Sequence, residues 1–533
     1  MLQTQRIRIL DTWSNFDFKS KFWGGSRSPA ALPNWAGYHT RRLKAYCLLE
    51  AYYSINSRFW LESEDNTVQV DRREYGDPFV IVETALTSLI GDNQKIVVEG
   101  SLINVPESVA LQEAIEDWAG KEKFYLKMVE SERQSVKYGD SVYVLGWDAE
   151  KGRARLNVYD PGFYFPIFDE SSRGSEDFPE KVIIAYDYCE PGYTGIADKF
   201  FVRRICWYLE DVEPYTTVFG TPATQNCRYE DYIYEMPNMA QDIKERGANP
   251  YKIITEETYL DMDFIPVVHI PNTVNLQNHF GRSVLSPIIQ ILDDIQSTDT
   301  DLQASSATTG SPPIVVTGRG SGSAEVDSYG PGTIFYVGDG NATLIDTSTS
   351  LDALLKLKDA LLERLSVNSR TPESLLGRVK PNEVPSGIAL SLSFTPHSGM
   401  IKEMRLIRRD KYSLLLKFIN RFLMITDPSL MEIPTNLHFG SFLPSDKQET
   451  MTLVVQLLGA KSISLETGVQ MLMQAGLPIE SWIDEIERIR SRDFDAANNL
   501  MNITGDPNSA LAALGLPPQT EFDPADPTQD MLE

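Results

Sequence analysis

Imidazole can ligate a metal or act as a general base near neutral pH, so the histidines are the first residues to weigh for chemistry. The 533-residue chain has five: His39, His269, His279, His397 and His438. None falls in an H-E-x-x-H string, the helical spacing that brings two imidazoles to one ion, so each reads as an ordinary hydrogen-bonding residue. Acidic neighbours such as Asp293 with Asp294, or Glu256 with Glu257, could pair a general acid with a general base. Adjacent positions on a helix diverge by about 100°, so Asp293 and Asp294 cannot address one substrate together, and among 75 acidic residues such pairs arise by chance. The glycine-rich run Gly318 to Ser323 could cradle a phosphate. No G-x-x-x-x-G-K-[ST] string accompanies it, and Gly318, Ser321 and Gly322 miss the G-x-S-x-G register of a nucleophile elbow. Cys47, Cys189, Cys206 and Cys227 form no C-x-x-C pair, which reads as reduced core thiols rather than a zinc site or a disulfide framework. The expectation is a protein that is not an enzyme and uses no metal or cofactor.

Composition bounds the remaining classes. Hydrophobic residues make up 42% of the chain, too many for a mostly disordered one and enough for several compact units. No apolar stretch approaches the roughly 18 residues of a membrane span, and MLQTQRIRILDTWSNF lacks the apolar core of a signal peptide, so a soluble protein made in a cytoplasm is expected. A formal net charge of −26 opposes gripping nucleic acid by phosphate neutralisation. It is compatible with a wall that DNA slides past, and equally with a surface kept acidic for solubility.

The elements that must position any site follow from periodicity. Tyr38, Arg42, Ala45, Leu49 and Tyr52 give an early helix within 35–58. The segment 105–148 reads as two helices and then, past Gly139, a strand in which Val142 and Val144 alternate with Tyr143 and Leu145. From Arg153 to Pro271 come several strands separated by Pro, Gly and Asp turns; Asp160 to Ile265 holds 21 acidic against 9 basic residues, marking a solvated or partner-facing region. A long helix follows, with Ile288, Ile291, Ile295 and Leu302 on one stripe, Asp294, Thr298 and Asp301 on another, and Pro287 in its first turn. A small β module, Ile314 to Thr317 and Thr333 to Val337, precedes a second helix with Leu351, Leu354, Leu355, Leu361, Leu362 and Leu365 on one face and Lys358, Asp359 and Arg364 on the other. The prolines and glycines Pro372, Gly377, Pro381, Pro385 and Gly387 break the chain into a loop. The next helix is expected to kink at Pro396 and Gly399, to pack through Met404, Ile407, Leu414, Phe418 and Phe422, and to project Lys402, Arg405, Arg408 and Arg409. Three short helices follow Pro444, then a tail rich in Asn, Pro, Ala and Asp that reads as partly disordered. The fold class is α+β.

This order of elements, together with four strings, resembles the portal proteins of tailed bacteriophages. The strings are the R-R-L-x-x-Y helix from Arg41, the turn Tyr138-Gly139-Asp140, NHFGRSVLSPIIQILDDI, and PSGIALSLSF. The resemblance spans about Arg41 to Arg490 and lies in pattern rather than in invariant residues. It implies a multi-domain portal fold assembled as a ring: an arm (1–34), a wing (35–282), a stem helix (283–309), a clip (310–350), a second stem helix (351–369), a tunnel loop (370–389), a kinked helix returning to the wing (390–445), a helical crown (446–497) and a flexible acidic tail (498–533).

The implied function is a structural channel at the unique vertex of the capsid, in the virion, assembled in the host cytoplasm. Double-stranded DNA would pass through it during packaging, retention and ejection without sequence readout. Implied partners are further copies of the chain in a ring of twelve, the major capsid protein, the terminase motor and then the head-to-tail adaptor. Carried over residue by residue, Arg378, Lys380, Asn382 and Glu383 would face DNA in the tunnel loop. Ile314, Val316, Arg319, Ile334 and Tyr336 would lie in the clip that meets motor and adaptor, and Ile291, Asp294, Asp301, Lys358 and Arg364 in the stem. Leu351 to Asn420 carries 12 basic against 7 acidic residues, a cationic segment in an acidic protein. The loop charges could touch phosphates or simply solvate a loop. Rival readings are another phage structural protein, of the minor head or baseplate, and an acidic β-rich hydrolase acting on polysaccharide.

Overall fold

The chain turns from helix to sheet at Gly139, whose φ of +100° lies in the left-handed region that favours glycine. The computed structural model describes residues 6–7, 39–54, 75–92, 94–101, 105–168, 178–190, 199–236, 251–275, 278–310, 314–317, 334–337, 342–344, 348–377, 392–440, 447–474, 485–486 and 488–492. The chain divides into two compact units, Met1–Phe439 and Gly440–Glu533.

In the first unit a two-residue strand β1 (Arg6–Ile7) precedes α1 (Thr40–Tyr53) and α2 (Asp77–Ile90). Asp77 and Pro78 suit the first turn of α2, one by favourable interaction with the helix dipole and the other by its fixed φ. Periodicity does not single out α2, because Phe79 and Val80 are exposed while Ile81 and Val82 are buried, so its apolar residues mark no single stripe. Strand β2 (Lys95–Val98) leads to α3 (Pro106–Glu122) and α4 (Phe124–Tyr138), separated by Lys123 at φ 55°.

The expected strand beyond Gly139 is β3 (Asp140–Asp148), followed by β4 (Arg153–Tyr159), β5 (Tyr164–Ile167), β6 (Lys181–Glu190), β7 (Lys199–Thr216), β8 (Pro222–Met236), β9 (Lys252–Tyr259) and β10 (Val267–Pro271). The largest sheet runs in the order β1-β6-β7-β8-β9, with β5 also on β6; a second sheet runs β10-β3-β4. Sequence reasoning did not find β9, because KIITEETY carries exposed residues on both faces and shows no burial alternation.

Next come α5 (Ile289–Gly310), the strands β11 (Ile314–Thr317), β12 (Ile334–Val337) and β13 (Ala342–Leu344), and α6 (Ser348–Ser369). In the module β11 is central, parallel to β12 and antiparallel to β13. Helix α5 begins later than the expected residue 283, because 283–288 form turns tied to α4, and Pro287 precedes the helix. Helix α7 (Thr395–Thr426) runs 32 residues with Pro396 in its first turn, where its missing N–H has no helical partner to lose; the proline starts the helix rather than kinking it. Strand β14 (Thr435–His438) returns to pair antiparallel with β2.

The core of this unit joins Leu111, Ile115 and Trp118 of α3, Phe124 and Met128 of α4, Val142 to Leu145 of β3, and Tyr412, Leu415, Leu416 and Ile419 of α7. Burying each such side chain contributes about 1.5–3 kcal/mol. The second unit contains α8 (Lys447–Gly459), α9 (Leu465–Gln474) and helical residues 488–492. Among the described residues, no helix is long and apolar enough to cross a membrane.

Candidate functional site

Three of the four strings that carry the resemblance meet at one carboxylate. Asp140, the first residue of β3, is 1% exposed. Its Oδ2 accepts from the Tyr46 hydroxyl at 2.5 Å, and its Oδ1 contacts His269 Nε2 at 2.8 Å and accepts from the Gly281 N–H at 2.8 Å. Tyr46 sits one turn beyond Arg42 on α1, so both face this point. The Arg42 guanidinium donates to the Pro161 and Tyr164 carbonyls at 2.8 and 2.6 Å and lies 4.1 Å over the Phe280 ring. These contacts join α1, the helix-to-strand turn and the segment leading into α5.

Backbone packing here admits only glycine. An added Cβ at Gly281 would lie 2.3 Å from the Gly139 carbonyl oxygen and 2.5 Å from the Asn272 nitrogen. At Gly139 it would lie 2.9 Å from the backbone of Arg282 and Ser283. The Asn272 N–H donates to the Gly139 carbonyl at 2.7 Å, and the Ser283 hydroxyl to the Lys137 carbonyl at 2.6 Å. The segment before α5 is thereby held against the C-terminal end of α4.

Asn272 passes the network onward. Its Oδ1 accepts from Arg408 Nη2 at 2.9 Å, and Arg408 Nε donates to Glu132 Oε2 at 2.5 Å. Arg408 also reaches the Ser135 hydroxyl at 3.0 Å and the Met404 carbonyl at 3.0 Å, while Tyr412 donates to Glu132 Oε1 at 2.7 Å. Both Arg408 and Glu132 are 0% exposed. This corrects the expectation that Arg408 projects: its fork is satisfied inside by a carboxylate, an amide, a hydroxyl and a carbonyl, the condition under which a buried ion can persist. Arg405 also turns inward, donating to the Leu89 and Ser88 carbonyls at 2.9 and 3.1 Å. Leu414 is only partly buried, and Leu415 and Leu416 take the core positions beside it.

Burial sets the protonation of the hub. Desolvation outweighs the hydrogen bonds to Asp140 and raises its carboxyl to about 6. Desolvation, with Lys411 and Arg42 adding repulsion, holds His269 well below its usual range, so a neutral imidazole faces Asp140. Desolvation and then Arg42 lower His39 to about 3. The rings of His269 and His279 stack at 4.3 Å, and His39 lies edge-on to Phe280 at 5.5 Å. Sequence spacing cannot reveal this histidine cluster, because distant chain segments build it. His397 is buried against the Ser88 hydroxyl at 2.9 Å, and His438 is exposed on β14. Among the described residues, no three His, Cys, Asp or Glu side chains group to hold a metal ion. Cys47, Cys206 and Cys227 are buried; burial pushes the Cys206 and Cys227 thiols up to about 12.

Beside the hub a cavity of about 590 Å³ opens where the segment before α5, the end of α6 and the start of α7 meet. Asn272, Asn275, Asn278, Arg282, Arg370 and Glu403 line it. A second cavity of about 440 Å³, between α5 and α6, is lined by Asp299, Leu302, Leu351, Leu355 and Lys358.

The stem residues named from sequence divide. Asp294, Asp301 and Arg364 are exposed, and Ile291 is half-buried. Lys358 does not project but pairs with the buried Asp299 at 2.5 Å, joining the two helices. Thr298 is buried rather than part of a polar stripe, its hydroxyl donating to the Asp294 carbonyl. Asp293 accepts from the Tyr52 hydroxyl at 2.6 Å while Asp294 faces away, as their spacing requires. Of the six-leucine face of α6 only Leu361 and Leu365 are buried; Leu355 is 44% exposed. Ile314 and Val316 lie on β11, paired through the backbone with Ile334 and Tyr336 of β12. Arg319, Arg378, Lys380, Asn382, Glu383 and the tail from 498 lie outside the described residues.

No protein-family model matches the sequence, and no curated protein matches it. Among solved structures the chain is similar to one titled "Neck of native GTA particle computed with C12 symmetry", at a TM-score of 0.38 and 12% identity, covering 81% of this chain and 93% of that chain.

Proposed function

We propose that this chain is a non-enzymatic structural subunit of a tailed-phage or phage-like particle, a portal that assembles as a ring around an axial channel for double-stranded DNA. The observation that carries this reading is the hairpin of α5 and α6. Two 22-residue helices, each about 33 Å long at 1.5 Å per residue, pack on each other and flank a three-stranded module. Among the described residues, α5 has no buried side chain beyond Asp299 and α6 none before Leu361. Leu355 and Leu357, 44% and 49% exposed, are left uncovered among the described residues. Apolar helix faces left open in one chain call for neighbours, and head-to-tail contacts that close into a ring supply them.

In this reading α5 and α6 are the stem and β11 to β13 the clip that meets the terminase motor and then the head-to-tail adaptor. The loop carrying Arg378, Lys380, Asn382 and Glu383 approaches DNA. The ring has twelve subunits, sits at one vertex of the capsid and contacts the major capsid protein there. The acidic surface lets a duplex slide rather than stick. A glycoside hydrolase needs two carboxylates roughly 5–9.5 Å apart across a cleft. Neither of the two cavities described presents such a pair: one is lined by Glu403 alone, the other by Asp299, which is tied to Lys358. Negative-stain imaging of the purified chain tests the proposal: closed rings with an axial hole are expected, and a population of monomers or dimers at micromolar concentration would refute it.

A further inference from the structure

We infer that the cavity beside the hub, where the segment before α5, the end of α6 and the start of α7 meet, binds a phosphate group through the guanidiniums of Arg282 and Arg370. The cavity measures about 590 Å³ and its charged lining is Arg282, Arg370 and Glu403, two cations against one carboxylate in a chain of net charge −26. A cationic recess in an acidic surface concentrates anions.

Arg370 stands where helices ordinarily carry glycine. Helix α6 closes with two backbone hydrogen bonds, from the Thr371 N–H to the Ser366 carbonyl at 3.1 Å and from the Arg370 N–H to the Val367 carbonyl at 3.2 Å. This closure puts the residue between them in the left-handed region, and Arg370 has φ 53°. A side chain disfavours that conformation, whereas glycine adopts it freely. The Arg370 carbonyl also meets His397 Nδ1 at 3.2 Å, so its backbone is held on both sides. An arginine in so unfavourable a position is accounted for if its head group is needed at the cavity it lines. Its ion pair with Glu403 is long, at 3.8 Å, and both side chains are more than half exposed, so the carboxylate competes only weakly for it.

Arg282 is likewise fixed at its backbone and open at its head. Its N–H donates to Thr273 Oγ1 at 3.0 Å and its carbonyl accepts from Asn272 Nδ2 at 3.0 Å. The residue is exposed, and among the described residues its guanidinium makes no hydrogen bond or ion pair. Phosphate suits this pair of forks better than carboxylate does. Its oxygens do not share one plane, so arginines from two chain segments can each engage one group, whereas a planar carboxylate offers its edge to a single fork. Asn278 and Asn368 add amide groups to the lining. Two sources share this chemistry, the backbone of duplex DNA and a free phosphate ion; the first rests on the ring reading and the second does not.

Binding of a short labelled duplex at low salt, read by fluorescence anisotropy, and of inorganic phosphate, read by calorimetry, tests the site in the full chain. Arg370→Gly relieves the positive φ and should fold at least as well as the parent, yet weaken binding about fivefold. Combined with Arg282→Gln it should weaken binding at least about tenfold and flatten the slope of log affinity against log salt for the duplex by about 0.9, as expected for one phosphate contact. Glu403→Gln removes the competing carboxylate and should tighten binding about threefold. Loss of duplex binding in the double variant identifies DNA as the source, and loss confined to inorganic phosphate identifies the free ion. A parent and double variant that bind both probes alike, or bind neither, would overturn the site. Closed rings in that case would leave the ring reading intact, whereas monomers that bind inorganic phosphate through these arginines would remove the ring and keep the site.

Discussion

The Asp140 hub and the α5/α6 hairpin lie side by side in one unit and are built on opposite principles. At the hub five stretches of chain converge: α1 through Arg42 and Tyr46, the end of α4 through Lys137 and Gly139, β10 through His269, the segment from Asn278 to Ser283, and α7 through Arg408. The arrangement is buried, and apart from Arg42 Nε and His269 Nδ1 the hydrogen-bonding groups named here find partners within the chain. In the hairpin the two helices meet chiefly each other, burial stops about two to three turns from the hub end, and leucines stand exposed among the described residues. A site closed by its own chain has one geometry whatever its neighbours do, whereas a surface left open acquires its final contacts by assembly. On the proposed reading the hub supplies a rigid mount, and the hairpin the adaptable part that neighbouring copies complete.

The contrast is most sharply broken at Arg408. Arg408→Met leaves Glu132 buried without its cation and should remove about 3–5 kcal/mol of stability in urea denaturation. Adding Glu132→Leu should recover much of that loss, because the unpaired charge is then gone. A single-variant loss below about 1 kcal/mol would mean that the network does not hold the mount.

Next in size is the pH response of the hub. Tyr46, Arg42, His269, His279 and the Gly281 N–H face Asp140, and its carboxyl is raised from 3.8 to about 6. A raised folded-state value means that protonation favours the fold. This contribution is fully present below pH 3.8 and is lost as pH rises through 6, on the order of 3 kcal/mol for a shift of this size. Glu50, held at about 2 against burial by Lys137, with Ser54 and Tyr138 also donating, acts in the opposite sense: its stabilisation is present above pH 4.5 and is lost on acidification towards pH 2. Unfolding measured at pH 4 and pH 7 for the parent and Asp140→Asn should show the parent losing stability relative to the variant as pH rises. A constant difference would place the Asp140 carboxyl at its ordinary value.

The smallest expected effect on the fold lies in the hairpin. Leu357→Ser should change the stability of the isolated chain by no more than about 0.5 kcal/mol, since its side chain is already exposed. The same change should lower the ring population several-fold in mass photometry. A large loss of fold stability instead would show that the open face is covered within the chain.

Much of the fold was legible because periodicity reports which side of an element avoids water. The switch to β3 at Gly139, the two helices before it, the leucine-rich α6 and the module between α5 and α6 all follow from local pattern. α2 and β9 were not legible, one because it is apolar on several sides and the other because it is exposed on both. At the candidate site the strings R-R-L-x-x-Y, Tyr138-Gly139-Asp140 and NHFGRS marked the participants, yet nothing in their separate spacings says that they meet at one carboxylate.

The sequence by itself determined the acidic balance, the lack of familiar catalytic motifs and the order of helices and strands, because these depend on composition and near neighbours. Only the tertiary structure decided that Arg408 and Arg405 turn inward, that Lys358 is held by Asp299, and that Gly281 must lack a side chain to pass Gly139. The physical reason is that a charge on a helix looks solvent-facing until a carboxylate or carbonyl from a distant segment is packed against it, and such long-range partners leave no periodic trace.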